Sequence, residues 1–268
     1  YVLIRFVGFS HSSTLIEPNG NYGILSKNNT MVTNPGTIQP PVSGAGTRLM
    51  WIPAKSAFRA GTVTATQWDA TNIGSWSMAL GHSTIANGDY SAAWGDGNTA
   101  SALSSTAGGS GNTAGSENST AWGYNTTAGE LHSTAWGYNT TAGGLRSTAW
   151  GNSATASTES STAWGYLTTA SAQYSTTWGI GTTAQAYASS VLGRYNLISG
   201  TTGSWVTTDP LFVIGNGTAA NTRSNAVTVL KNGRVGIGTA TPDVPLHITG
   251  SAGSTPSLQR AYFSTATG

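Results

Sequence analysis

The chain has 268 residues, of which 7% are charged; its net charge is +2, and it holds 36 glycines and no cysteine. So small a charge excludes the basic surface that nucleic acid or an anionic membrane demands, and the lack of cysteine excludes a disulfide framework and a thiolate metal site. No apolar run reaches the about 18 residues of a membrane-spanning helix, while ten tryptophans supply apolar surface to bury, which argues against disorder.

Residues 1–9 are apolar and predict a strand. They lack an initiating Met, a basic run and a small-residue cleavage site, so the expectation is a strand entering from an upstream part of a longer protein. Residues 18–46, rich in Pro, Gly and Asn, read as turns and a linker. Next come Gly44-Ala-Gly-Thr-Arg-Leu-Met-Trp51, Ala57-Phe-Arg-Ala-Gly61 and Gln67-Trp-Asp69. Arg48, Arg59 and Asp69 are the clustered charges of this part. They predict an ion pair that caps the region beginning at Ser77. Residues 1–76 are thus taken as an N-terminal β cap and linker.

From residue 77 to residue 196 the chain repeats every fourteen residues without insertion or deletion. Ser119 and Ser133 each open the run Ser-Thr-Ala-Trp-Gly-Tyr-Asn-Thr-Thr-Ala. Copies start at Ser77, Ser91, Ser105, Ser119, Ser133, Ser147, Ser161 and Ser175, and a ninth opens at Ser189. Fixed-period self-similarity signals a stacked repeat architecture. Thr- and Trp-rich runs bounded by Gly and Asn read as strands and turns. Fourteen residues suit two strands of about four or five residues and two turns. The expectation is an all-β solenoid of fourteen-residue coils stacked by backbone hydrogen bonds at about 4.8 Å per coil.

Side chains alternate faces along a strand. Position three is Ala in seven copies and position five is Gly in all nine, from Gly81 to Gly193. Both are assigned to a narrow interior, with the Ala of position ten as their counterpart on the second strand. Position four then points outward. It holds Trp94, Trp122, Trp136, Trp150, Trp164 and Trp178, with Leu80 and Leu192 at the ends and Gly108 as a gap. A ladder of indoles is more apolar surface than soluble monomers leave in water. The expectation is that copies of the chain cover it around a symmetry axis. The alternative puts Trp inside a monomeric coil. Charges within the repeat fall at positions six, twelve, thirteen and fourteen, which are read as corners. The copy at Ser105 holds Gly108, Gly109, Gly111 and Gly115 and reads either as a soft point or as a neutral degenerate coil.

After Asn196 the period stops. Leu211-Phe-Val-Ile214, Ala226-Val-Thr-Val-Leu230 and Leu246-His-Ile248 read as strands in a C-terminal β neck or cap, residues 197–250. Residues 251–268 read as a tail leading to a further part. Ile214-Gly-Asn-Gly-Thr-Ala-Ala220 has the spacing of a dinucleotide loop, but no helical pattern and no acid follow, so it reads as a turn. His11, His82, His132 and His247 show no metal-ligand spacing. No Gly-x-Ser-x-Gly elbow occurs. Position nine is Thr in seven of eight copies, but position eleven supplies no second Thr rank for binding an ordered lattice.

The unit Ser-x-Ala-(apolar)-Gly-x-x-(Ser/Thr)-x-Ala-x-Gly resembles the head repeat of trimeric autotransporter adhesins of the YadA type. The resemblance implies a left-handed parallel β-roll, three chains to a head, and attachment to matrix or cell surfaces. Position two is mostly Thr here, where that family has Val, and position four is mostly Trp, where it has Ile or Leu. The segment 211–248 resembles the stretch ahead of the self-trimerising chaperone (peptidase S74 type) of phage tail fibres. Together these imply a non-enzymatic homotrimeric fibre, extracellular on a cell or virion, that needs no cofactor or metal. They place the six tryptophans at the trimer interface and let Tyr124, Tyr138 and Tyr166 touch a cell-surface or matrix ligand such as a glycan. The alternatives are a purely structural spacer and a carbohydrate-active tail spike.

Overall fold

A computed structural model describes residues 43–250. The expected strand at residues 1–9, most of the turn-rich stretch after it, and the tail from residue 251 lie outside the described residues.

The repeat forms a parallel β-solenoid with one coil per fourteen residues. Each coil carries a strand of five residues and one of two, where two strands of similar length were expected. The long strands, from Met78–His82 to Ser190–Arg194, pair in strict register, so that each residue lies on its counterpart one coil away. The short strands form a second sheet on the other side of the coil, from Ile85–Ala86 to Thr183–Ala184. The short strands stop at two residues because the backbone turns on both sides of them. Positions seven and fourteen take a left-handed φ in every coil, as at Asn125 (52°), His132 (58°), Asn139 (51°) and Arg146 (56°). Each such residue without glycine's freedom costs about 1 kcal/mol. Hydrogen bonds to the neighbouring coil offset this, as where Asn139 N–H donates to Tyr124 O at 2.9 Å.

The interior is built from small side chains. The Ala of positions three and ten is fully buried, from Ala79 to Ala184. The Ser of position one is buried as well, and in six coils its hydroxyl donates to the carbonyl three residues back at 2.5–2.7 Å, as from Ser91 to Gly88 and from Ser119 to Ser116. Position eight, Thr or Asn in all copies but one, completes the interior.

The glycines of position five are not part of that interior, contrary to the sequence expectation. Their φ lies between 97° and 131°, and a Cβ on Gly137 would sit 2.0 Å from the carbonyl oxygen of Gly151 in the next coil. Backbone conformation and coil-to-coil contact demand glycine here, not a narrow core.

The stack extends past the sequence period at both ends. Ala57–Val63 pairs parallel with Met78–His82, with Gly61 against Gly81. Pro210–Asn216 pairs parallel with Ser190–Arg194, with Gly215 against Gly193. The column of stacked glycines thus runs from Gly61 to Gly215. Beyond these strands pairing turns antiparallel: Gly46–Ile52 lies along Ala57–Val63, and Asn225–Leu230 along Pro210–Asn216. The three strands expected after residue 210 are all present. Gly215 and Gly217 belong to the coil and its turn, with no helix after them, so the dinucleotide-like spacing is a turn as expected.

Candidate functional site

The long strand presents three outward positions. Thr at position two and Trp at position four flank buried Ala, and position six ends the strand in solvent. In-register pairing turns each of these into a column along the stack. The indoles of Trp122, Trp136, Trp150, Trp164 and Trp178 lie outside the coil and are 43–56% exposed, which removes the reading that placed Trp inside. They stack nearly parallel, with centroids 5.8, 5.2, 5.1 and 4.8 Å apart going up the column. On an indole area of about 150–250 Å², the five leave roughly 400–600 Å² in water, the upper end for a soluble monomer.

Stacking decides what this column can bind. A ring inserted between two indoles needs roughly 7–8 Å, twice an ordinary carbon contact. The observed spacing is too short, so a sugar cannot stack on the faces within the column. What the column offers is a strip of indole edges.

The column is continuous despite the missing Trp at position 108. Strand pairing passes through Gly108 without a shift, with Trp94 on one side and Trp122 on the other. Trp94 turns its ring into the space above Gly108 and meets Trp122 edge-on, centroids 5.8 Å apart and planes at 88°. The glycine-rich strand Thr106–Ser110 is also stitched from inside. Asn98 Nδ2 donates to Gly109 O and Asn112 Nδ2 to Gly108 O, both at 2.7 Å. Asn112 Oδ1 accepts from Thr126 N–H and Thr126 Oγ1, both at 2.8 Å. The reading of this coil as a soft point therefore finds no support in its pairing.

Tyr124, Tyr138 and Tyr166 end their strands at position six and are about half exposed. Tyr124 and Tyr138 stack at 5.1 Å. Asn152 lies between Tyr138 and Tyr166 in the register, so the third tyrosine stands apart from the other two. In the same column His82 Nδ1 lies 2.5 Å from Asp96 Oδ1, a pair created by the period itself. His247 Nδ1 lies 2.8 Å from Asp243. Among the described residues no group of three or more His, Cys, Asp or Glu side chains could hold a metal ion.

Among the described residues Arg59 does not enter the expected ion pair. Arg59 occupies position three of the first coil, against Ala79, and is fully buried. Its guanidinium donates to Phe58 O, Ser77 O, Ser77 Oγ and Ala86 O at 2.8–3.0 Å. Burial lowers its pKa to about 10, so it stays a cation at neutral pH. Asp69 instead accepts from Gly44 N–H, and Arg48 donates to Gly44 O. Trp68, fully buried, donates its Nε1 to Thr84 O at 2.9 Å. Arg59 and Trp68 thus fill the first coil, where the later coils hold Ala and Ser.

At the other end Lys231 places its Nζ 4.9 Å from the ring centre of Trp205 and 5.8 Å from that of Tyr187. Burial holds its pKa below the ordinary lysine value, with Asp209 acting in the opposite direction. Sequence reasoning singled out neither this cation nor the interior Asn98 and Asn112. A usable signal for the latter was that position eight never carries a charge or a large side chain.

No family model and no curated protein matches the sequence. Among the described residues no helix is long and apolar enough to cross a membrane.

Proposed function

We propose that this solenoid is a segment of a non-enzymatic, homotrimeric extracellular fibre that attaches to a cell or matrix surface. In this reading the column of Trp94, Trp122, Trp136, Trp150, Trp164 and Trp178 lies against its symmetry mates. The number of chains, the left-handed coil and the location on a cell or virion come from the resemblance of the repeat to adhesin heads. The antiparallel strands at either end serve as caps in this reading. The observation that carries it is the half-exposed indole stack, whose faces are occupied and whose edges form one straight apolar strip. The strip's roughly 400–600 Å² is a large part of the about 800 Å² per partner of a standard interface. Tyr124, Tyr138 and Tyr166, repeated on each chain, supply weak contacts that gain by avidity.

Light scattering on the purified protein tests assembly. Three times the chain mass is expected, and Trp136→Asp lowers it, since an unpaired charge at the axis is costly to bury. A monomer of wild-type protein refutes the reading. Binding to whole cells or immobilised glycans tests attachment. Assembled protein that binds neither leaves the spacer role, and release of sugar from a polysaccharide favours the tail-spike alternative.

A further inference from the structure

A stack of near-identical coils has a problem that its own periodicity creates. Two such stacks, laid side by side, fit almost as well after sliding by one coil, about 4.8 Å. Only the contacts of one terminal coil are lost. The column of position four is uniform from Trp122 to Trp178 and gives no reason to prefer one alignment. Leu80 and Leu192 bound the tryptophans of this column, and between those bounds it is interrupted once, at Gly108.

Gly108 is not there for its backbone. Its φ lies outside the left-handed range, unlike that of Gly109 at 109°. The space of its side chain is taken by Trp94: a Cβ on Gly108 would lie 2.5 Å from Trp94 Cε2 and 2.6 Å from its Nε1. Trp94 is the one indole of the column that lies across the stacking direction, at 88° to Trp122. The surface at these two levels therefore differs in shape from the five parallel edges above it.

We infer that Gly108 and the turned indole of Trp94 fix the axial register between copies of this chain. The inference rests on the reading of the Trp column as an interface, and its partner is a second copy of the same chain. With the copies level, turned rings meet turned rings. With one copy displaced by one coil, the edge of its Trp122 faces the turned Trp94 at the level of the neighbour's Gly108, or its own Gly108 level faces a parallel edge. In either direction a turned ring meets a parallel edge, a mismatch of shape that the level arrangement avoids. A single exception in a uniform seam acts as a register mark, as a buried polar residue does in a coiled coil.

The test is cryo-electron microscopy of the assembled protein, with its mass first measured by light scattering. Wild-type particles are expected in one class, with all copies level. Gly108→Trp makes the seam uniform. The new side chain displaces only the far end of Trp94, and the backbone there accepts an L residue. Particles with one copy displaced by one coil are then expected to rise at least about tenfold. Trp94→Ala, which removes the turned ring and leaves Gly108 in place, is expected to raise them too and serves if Gly108→Trp fails to fold. Level particles in both variants overturn the inference while leaving the interface standing. A monomeric wild type overturns the interface itself, and the register mark with it.

Discussion

Gly137 and Gly151 touch through a space that no side chain can share: a Cβ on Gly137 would lie 2.0 Å from Gly151 O, and its φ is 127°. Gly137→Ala therefore combines a left-handed strain with a backbone clash. A loss of about 3 kcal/mol or more is expected in urea unfolding. Gly143→Ala is the control. Its nearest neighbour is Thr141 Cγ2 at 3.7 Å and its φ is ordinary, so it is expected to be neutral or to stabilise by about 0.4–1 kcal/mol.

Arg59→Ala removes four donated hydrogen bonds and empties the space of a fully buried side chain, although Ser77 O and Ala86 O keep the N–H groups of Phe58 and Gly74. A cost of about 3 kcal/mol is expected. Its dependence on pH has a definite sign. The folded pKa of about 10 lies below the ordinary arginine value, so the unfolded chain binds the proton more tightly between the two. Stability from this group rises with pH only in that window and is flat below it. The difference between wild type and variant is expected to be constant from about pH 6 to about pH 9; a slope within that range would mean the guanidinium is not the group concerned.

Asn112→Thr replaces a bridging amide by the residue that the next two coils carry at position eight. The hydroxyl fits, but the donors to Gly108 O and Gly123 O are lost. A loss of about 1–2 kcal/mol is expected. Amide exchange is expected to quicken first in Thr106–Ser110 and Thr120–Tyr124, the strands those bonds hold.

Lys231→Met keeps an apolar stem against Trp205 and Tyr187 and removes a cation that burial disfavours. The lowered folded pKa means that wild-type stability from this group rises as pH approaches the ordinary lysine value. The variant is expected to melt no lower than wild type at neutral pH and to lose that rise. A clear fall in melting temperature would show that the cation–π contacts outweigh burial.

Much of this was legible in the period. Ala93 and Ala100 read as interior and Trp122 as exterior because alternation puts positions three and four on opposite faces and small residues suit the narrow one, although only the observed exposure of the indoles removed the reading with Trp inside. Gly61 and Gly215 were hidden for the opposite reason. Twenty residues separate Gly61 from Gly81 and twenty-two separate Gly193 from Gly215, so the first and last coils carry inserts that erase the count. Arg59 misled because a charge near Asp69 suggests a partner in sequence, whereas the guanidinium found carbonyls instead. The Gly at position five was misplaced because alternation predicts a face, while a φ above 90° takes the residue out of alternation. Nothing in the sequence gives the direction of the Trp94 ring, which follows from the empty space one coil above it.

The hydrogen bonds between coils all run along the long axis of the stack. A pull on its two ends loads them in series, so the weakest coil yields before the rest. Each coil that lets go frees fourteen residues, roughly 45 Å of extended chain, for about 4.8 Å of stack given up. Stretched single molecules should lengthen in equal steps of that size, with the rest of the rod still folded. Such a chain gives way gradually under tension while its two ends stay joined.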